Sequence, residues 1–157
     1  MNSVEKVLQY LAACGLQDRL KTLDESSATV ELAAAALGCK PELIAKTLSF
    51  DVNGKAVLIV AAGDAKVDNA KFKAFFGQKA KMIKPEQVEE MTGFVPGGVC
   101  PFAPKEGVDV YLDVSLKRFE TIYPAGGSRN TAVKLTPAEL ETAARPKAWV
   151  DLCKNWA

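Results

Sequence analysis

The side chain best suited to chemistry in this chain is a lysine, in Ala45-Lys46-Thr47-Leu48. It stands where a helical pattern hands over to a strand pattern. Two glycine-rich segments follow: Thr92–Phe102 reads TGFVPGGVCPF and Tyr123–Arg129 reads YPAGGSR. Glycine lets backbone N–H groups approach a ligand without side-chain interference. Amides aimed at developing negative charge are each worth roughly 10²–10³ in rate. An ordinary lysine titrates at about 10.4 and is a cation near pH 7. Electrostatic duty therefore suits Lys46 better than general-base duty: it would hold a phosphate or a reacting carbonyl.

The absence of histidine narrows the chemistry further. It excludes Ser-His-Asp and Cys-His hydrolases, HExxH metalloproteases and imidazole bases. The cysteines, Cys14, Cys39, Cys100 and Cys153, are widely spaced and form no CxxC pair. Neither a zinc site nor any other metal or cofactor is expected from them. Cys100 lies inside the first glycine loop, but a thiol nucleophile needs a base or a lowered pKa. It reads as a small apolar residue packed beneath the loop. Asp113 ends an alternating run and reads as a strand-end cap, or as a group orienting Lys46 or a water.

The 157 residues fit one domain, 1–157, with 48% hydrophobic and 25% charged content. A net charge of +1 argues against duplex DNA as a partner. Lys66, Lys71, Lys73, Lys79, Lys81 and Lys84 form a local cluster, read as a solvated helix face or as a contact for nucleic-acid phosphates. The N-terminal segment MNSVEKVLQYLAACG lacks a basic start followed by an apolar run, and no stretch approaches the roughly 20 apolar residues of a membrane span. A cytoplasmic protein without membrane contact is the expectation.

The elements that must position these residues can be read in order. A helix starts after Ser3 and stops at Gly15, and an extended segment lies near Leu20–Leu23. A second helix, Val30–Leu37, is closed by Gly38, and a short one over Glu42–Ala45 leads to Lys46. Thr47–Val52 and Ala56–Ala62 flank Asn53-Gly54, the signature of a type I′ hairpin. The second of these strands is apolar without alternation and should lie centrally, covered on both faces. Asp68 caps a helix through Phe76, a strand is expected at Ala80–Ile83, and a helix over Pro85–Thr92. Gly93–Gly107 is a structured loop, long enough to suggest function. Strands are expected at Val108–Asp113, Thr121–Tyr123 and Thr131–Leu135. A helix capped by Thr136 with Glu139 reaching back comes next. Trp149 and Trp156 are expected to dock a terminal helix. The sum is an α+β fold: a single domain with a mixed β-sheet flanked by helices.

Taken in order and spacing, LAAAALG, AKTL, TGF-x-PGGVCP and the late Gly-Gly resemble the YbaK family, which includes the inserted editing domain of bacterial prolyl-tRNA synthetases. The resemblance runs from about Val30 to Leu140. It implies hydrolysis of an amino acid wrongly attached to tRNA, most typically tRNA(Pro), acting in trans, with prolyl-tRNA synthetase as a possible partner. It also implies that Lys46 is the essential lysine, that Gly97, Gly98 and Pro101 cradle the substrate, and that Gly126 and Gly127 form a second wall. Thr47, Cys100 and Ser128 fall within the same motifs and join the expected substrate-binding set. An aminoacyl ester is already activated, so placing a water and stabilising an oxyanion suffices; the proton can pass through the substrate's own groups. Lys46-Thr47 matches the cysteine-editing members, which makes Cys-tRNA(Pro) the leading substrate, although Ala125 and Leu23 depart from their pattern. Another small aminoacyl group, alanyl included, and a non-catalytic module binding aminoacyl-tRNA or a synthetase remain as alternatives.

Overall fold

The computed structural model describes residues 2–27 and 29–156. Helix α1 (Ser3–Ala13) is capped by the Asn2 side chain and buries Val7 and Leu11. Strand β1 (Leu20–Thr22) follows, then α2 (Val30–Leu37), closed by Gly38 at φ 68°. A 3₁₀ turn at Pro41–Leu43 runs directly into β2 (Ile44–Val52). Asn53 and Gly54 take φ of 55° and 83°, the two positive values a type I′ turn requires, and return the chain as β3 (Lys55–Ala62). Then come β4 (Lys66–Val67), α3 (Asn69–Phe76) and α4 (Pro85–Thr92). The second half holds β5 (Asp109–Asp113), a 3₁₀ turn at Val114–Arg118, β6 (Tyr123–Pro124) and β7 (Thr131–Val133). Helix α5 (Pro137–Ala144) opens with a complete Thr136–Glu139 capping box, and β8 (Ala148–Val150) and β9 (Cys153–Lys154) end the chain.

Five strands form one mixed sheet in the order β6-β2-β3-β5-β8, in which only the β2–β3 pair is antiparallel. β3 is central and buried from Ala56 to Ala62, as its unbroken apolar run requires. One face carries the larger core, with Val7, Leu11, Phe94, Phe102 and Leu140; the other packs Phe50, Ile59, Phe72 and Leu152. Two small antiparallel pairs, β1–β7 and β4–β9, tie down the periphery. Among the described residues no helix is long and apolar enough to cross a membrane.

Four local expectations change. The helix over Glu42–Ala45 is a 3₁₀ turn that ends at Leu43, so Lys46 lies inside a strand instead of at its start. Its two-residue reach toward β6 extends the ladder back to Ile44 and ends any helix there. The strand at Ala80–Ile83 reduces to a bridge between Phe50 and Met82, and that at Thr121–Tyr123 shifts to Tyr123–Pro124. Among the described residues there is no terminal helix: Trp149 sits in β8, where it pairs with Leu112, and Trp156 follows β9. After Pro146 an open parallel slot beside β5 offers main-chain partners that a short helix would forgo.

A candidate active-site cleft

Alternation along β2 sends the side chains of Lys46 and Thr47 to opposite faces of the sheet. The Lys46 ammonium donates to the carbonyl of Gly63 at 3.3 Å and to that of Ala65. Both acceptors lie in the turn that leaves β3. That turn is fixed from two sides. A Cβ at Gly63 would stand 2.0 Å from the Pro41 carbonyl oxygen, so only glycine fits there. Asp64 receives both guanidinium nitrogens of Arg118, at 3.0 and 2.6 Å. Arg118 in turn donates from Nε to the Ser115 carbonyl at 2.8 Å and lies over the Phe119 and Trp156 rings.

Burial lowers the pKa of Lys46 below the ordinary lysine value, opposed by the nearby Cys153, Asp64 and Glu31. The hydrogen bonds from Arg118 hold the Asp64 carboxyl below its usual range. An ammonium has three donors. Two are engaged by the turn, which leaves one for a ligand.

Lys46 lines a cleft of about 360 Å³ along the outer edge of β2. Val30 and Ala33 of α2 wall one side, Met82, Ile83 and Pro85 another, and Pro96, Gly97 and Val99 of the glycine loop a third. Tyr123–Ala125, Thr131 and Ala132 close it beside β6. The hydroxyl Oγ1 of Thr47 is buried here with no hydrogen-bond partner among the described residues.

Of the residues singled out in the sequence, Lys46, Thr47 and Gly97 share this cleft. Gly98, Cys100, Pro101, Gly126, Gly127 and Ser128 are not among the residues that line it. A Cβ at Gly98 would meet Ser128 Cα at 2.9 Å, and Gly127 lies against Val7 and Ser3 of α1. Ser128 bonds Asn130 and Thr131. Cys100 is fully buried, its sulfur 3.7 Å from the Phe102 carbonyl, and burial pushes its thiol up to about 12. Asp113 is buried too, and accepts from the amides of Ser115 (3.0 Å) and Leu152 (2.9 Å), the strand-end role. The lysine cluster divides. Lys71 pairs with Asp151 (3.0 Å) away from the cleft, whereas Lys81 and Lys84 flank cleft residues Met82 and Ile83. Sequence reading passed over the Gly63–Ala65 turn and Arg118. The signal available was Gly-Asp placed directly after a fully apolar strand.

Comparison with known proteins places this geometry in a family. The aminoacyl-tRNA editing domain model matches residues 24–143. YwhH of Bacillus subtilis (strain 168), an uncharacterised protein, is 48% identical over 98% of this chain and 99% of its own length. An Enterococcus faecalis (strain ATCC 700802 / V583) protein provisionally named Cys-tRNA(Pro)/Cys-tRNA(Cys) deacylase EbsC is 29% identical, over 72% of this chain and 70% of its own. Proline–tRNA ligase of Bacillus licheniformis is 27% identical over 88% of this chain, which spans 25% of that enzyme. A crystal structure provisionally described as a trans-editing enzyme for prolyl tRNA synthetase superposes with a TM-score of 0.86 at 29% identity, over 98% of each chain. The chain belongs to the aminoacyl-tRNA editing domain family.

Proposed function

We propose that this protein is a trans-acting hydrolase that cleaves the ester of mischarged tRNA, with Cys-tRNA(Pro) as its substrate. The observation that carries the reading is the shared cleft. Half-buried Lys46, whose ammonium has one donor to spare, and Gly97 of the PGGV loop line the same concave space. A cleft of about 360 Å³ suits a small aminoacyl group with part of its ribose. Deacylase and prolyl-tRNA editing names among relatives that match most of the chain support the substrate class.

In this reading the 3′ acceptor end enters the cleft and Lys46 stabilises charge on the carbonyl or a neighbouring phosphate. An ammonium held by two carbonyls stays in place as charge develops, so no reorganisation is needed at that moment. A water attacks the ester carbon, and the leaving 3′-oxygen takes up a proton relayed through the substrate's own groups. Mischarged tRNA(Pro) is the partner; a standing complex with prolyl-tRNA synthetase is not required by this mechanism.

The test is a panel of mischarged tRNAs, assayed with wild-type protein and with Lys46→Ala. Release of cysteine from Cys-tRNA(Pro) by wild type alone is expected. Alanine released faster than cysteine would reassign the substrate. Binding without release in single-turnover assays would leave a non-catalytic module.

A further inference from the structure

Among the described residues the outer edge of β2 has a gap at Thr47. At one end β6 pairs with Ile44 and Ala45. At the other, Ile83 donates its N–H to the Ser49 carbonyl at 3.1 Å, and Asp51 donates to the Lys81 carbonyl at 2.8 Å. The odd-numbered residues of β2 therefore turn their main-chain groups away from β3. Ala62, opposite Ala45, agrees: its N–H leaves the β2–β3 ladder for Ser115 Oγ at 3.1 Å. Thr47 is the single outward-facing residue between the two ends, and neither β6 nor the Lys81–Ile83 segment reaches it. Among the described residues its outward N–H and C=O have no main-chain partner, and Thr47 lines the cleft with a buried hydroxyl that is likewise unpartnered.

We infer that the main chain of Thr47 is the docking edge for the aminoacyl group itself, an inference that rests on the deacylase reading and deepens it. In the hydrogen-bonded pair of an antiparallel ladder, two residues exchange both N–H···O bonds. An α-aminoacyl ester carries the needed pair on one carbon: an ammonium to donate to Thr47 C=O, and a carbonyl to accept from Thr47 N–H. The ester carbonyl thus gains a backbone donor from β2 in addition to any from the glycine loop. Side chains directly opposite in such a pair share one face, Cβ atoms about 4.5–5.5 Å apart. The substrate side chain then lies beside Thr47 Oγ1, which favours a small group able to meet a hydroxyl, such as a thiol. A peptide needs several consecutive open positions to add as a strand. One open position fits one aminoacyl residue.

The experiment uses 3′-deoxyadenosine carrying cysteine through an amide at the 3′ position, which cannot be deacylated, and its counterpart lacking the α-amine. Amide NMR of the whole chain should show Thr47 N–H exchange slowed at least about 10-fold by the amine-bearing probe. Loss of the amine should weaken binding about 10–100-fold, as for a charged hydrogen bond, and Thr47→Val about 2–10-fold. A Thr47 amide that does not respond at saturation, or equal affinity for the two probes, overturns the inference. If mischarged tRNA is hydrolysed and Thr47 does not respond, the docking edge falls and the deacylase reading stands. If Thr47 responds and no mischarged tRNA is hydrolysed, the edge stands and the deacylase reading falls.

Discussion

Gly98 and Ser128 lie back to back: a Cβ added at Gly98 would sit 2.9–3.1 Å from three backbone atoms of Ser128. The two glycine-rich segments, 30 residues apart, are thereby packed main chain to main chain. Arg129 adds a hydrogen bond from Nε to the Pro96 carbonyl at 2.9 Å. Gly98 therefore holds the loop against its neighbour, and of Gly97, Gly98, Gly126 and Gly127 only Gly97 lines the cleft.

Gly98→Ala should consequently act through packing. Ser128 backbone has to move by a few tenths of an ångström, as in other overpacked sites that cost about 1–3 kcal/mol. Thermal unfolding should show that loss, and the shifted Gly97 should reduce deacylation. A variant with unchanged melting and full activity would show that the two segments do not depend on this contact.

Lys46 makes a prediction in pH. Burial holds its folded pKa below 10.5, so between the two values the unfolded chain binds more protons than the folded one. Stability from this group should then rise with pH across that window, and vanish in Lys46→Met. Activity runs the other way. The ammonium is lost as pH rises through the folded pKa, so deacylation, corrected for spontaneous ester hydrolysis, should fall there. A rate that climbs through the same range would assign Lys46 the role of a base.

Asp64 should position that ammonium without touching substrate. Asp64→Asn removes a carboxylate that favours the charged lysine and that Arg118 grips twice. The alkaline fall in activity should move to lower pH, with a stability loss of about 1–3 kcal/mol. Asp64→Glu should restore part of both. An unmoved pH profile would reduce Asp64 to a purely structural tie.

Cys100 should be dispensable for chemistry. A fully buried thiol pushed up to about 12 is protonated near neutral pH and is no nucleophile. Cys100→Ser should keep deacylation within a few-fold while lowering stability, because a hydroxyl replaces sulfur in an apolar site. Iodoacetamide should label the half-buried Cys14 and Cys39 first. Rapid inactivation tracking Cys100 alkylation would contradict this.

Composition and short-range pattern determined much of this protein. Zero histidines confined the chemistry to lysine, carboxylates, backbone amides, water and the substrate's own groups. Asn53-Gly54 fixed the β2–β3 hairpin, and the unbroken run after it placed β3 at the centre of the sheet. Thr136 and Glu139 announced α5. All of these depend on residues near one another in the chain, where local sterics and hydrogen bonds dominate. What only the tertiary structure decided is non-local. Trp149 went into a strand because a parallel slot beside β5 lay open, which no window around it reveals. Of the glycines, Gly97 faces the cleft while Gly98 packs on Ser128, a difference of one residue that depends on where two distant loops meet. Lys46 found its acceptors at Gly63 and Ala65, set by Asp64 and by Arg118, 54 residues beyond it. And the open edge at Thr47 exists only because β6 stops at one end and Lys81–Ile83 joins at the other.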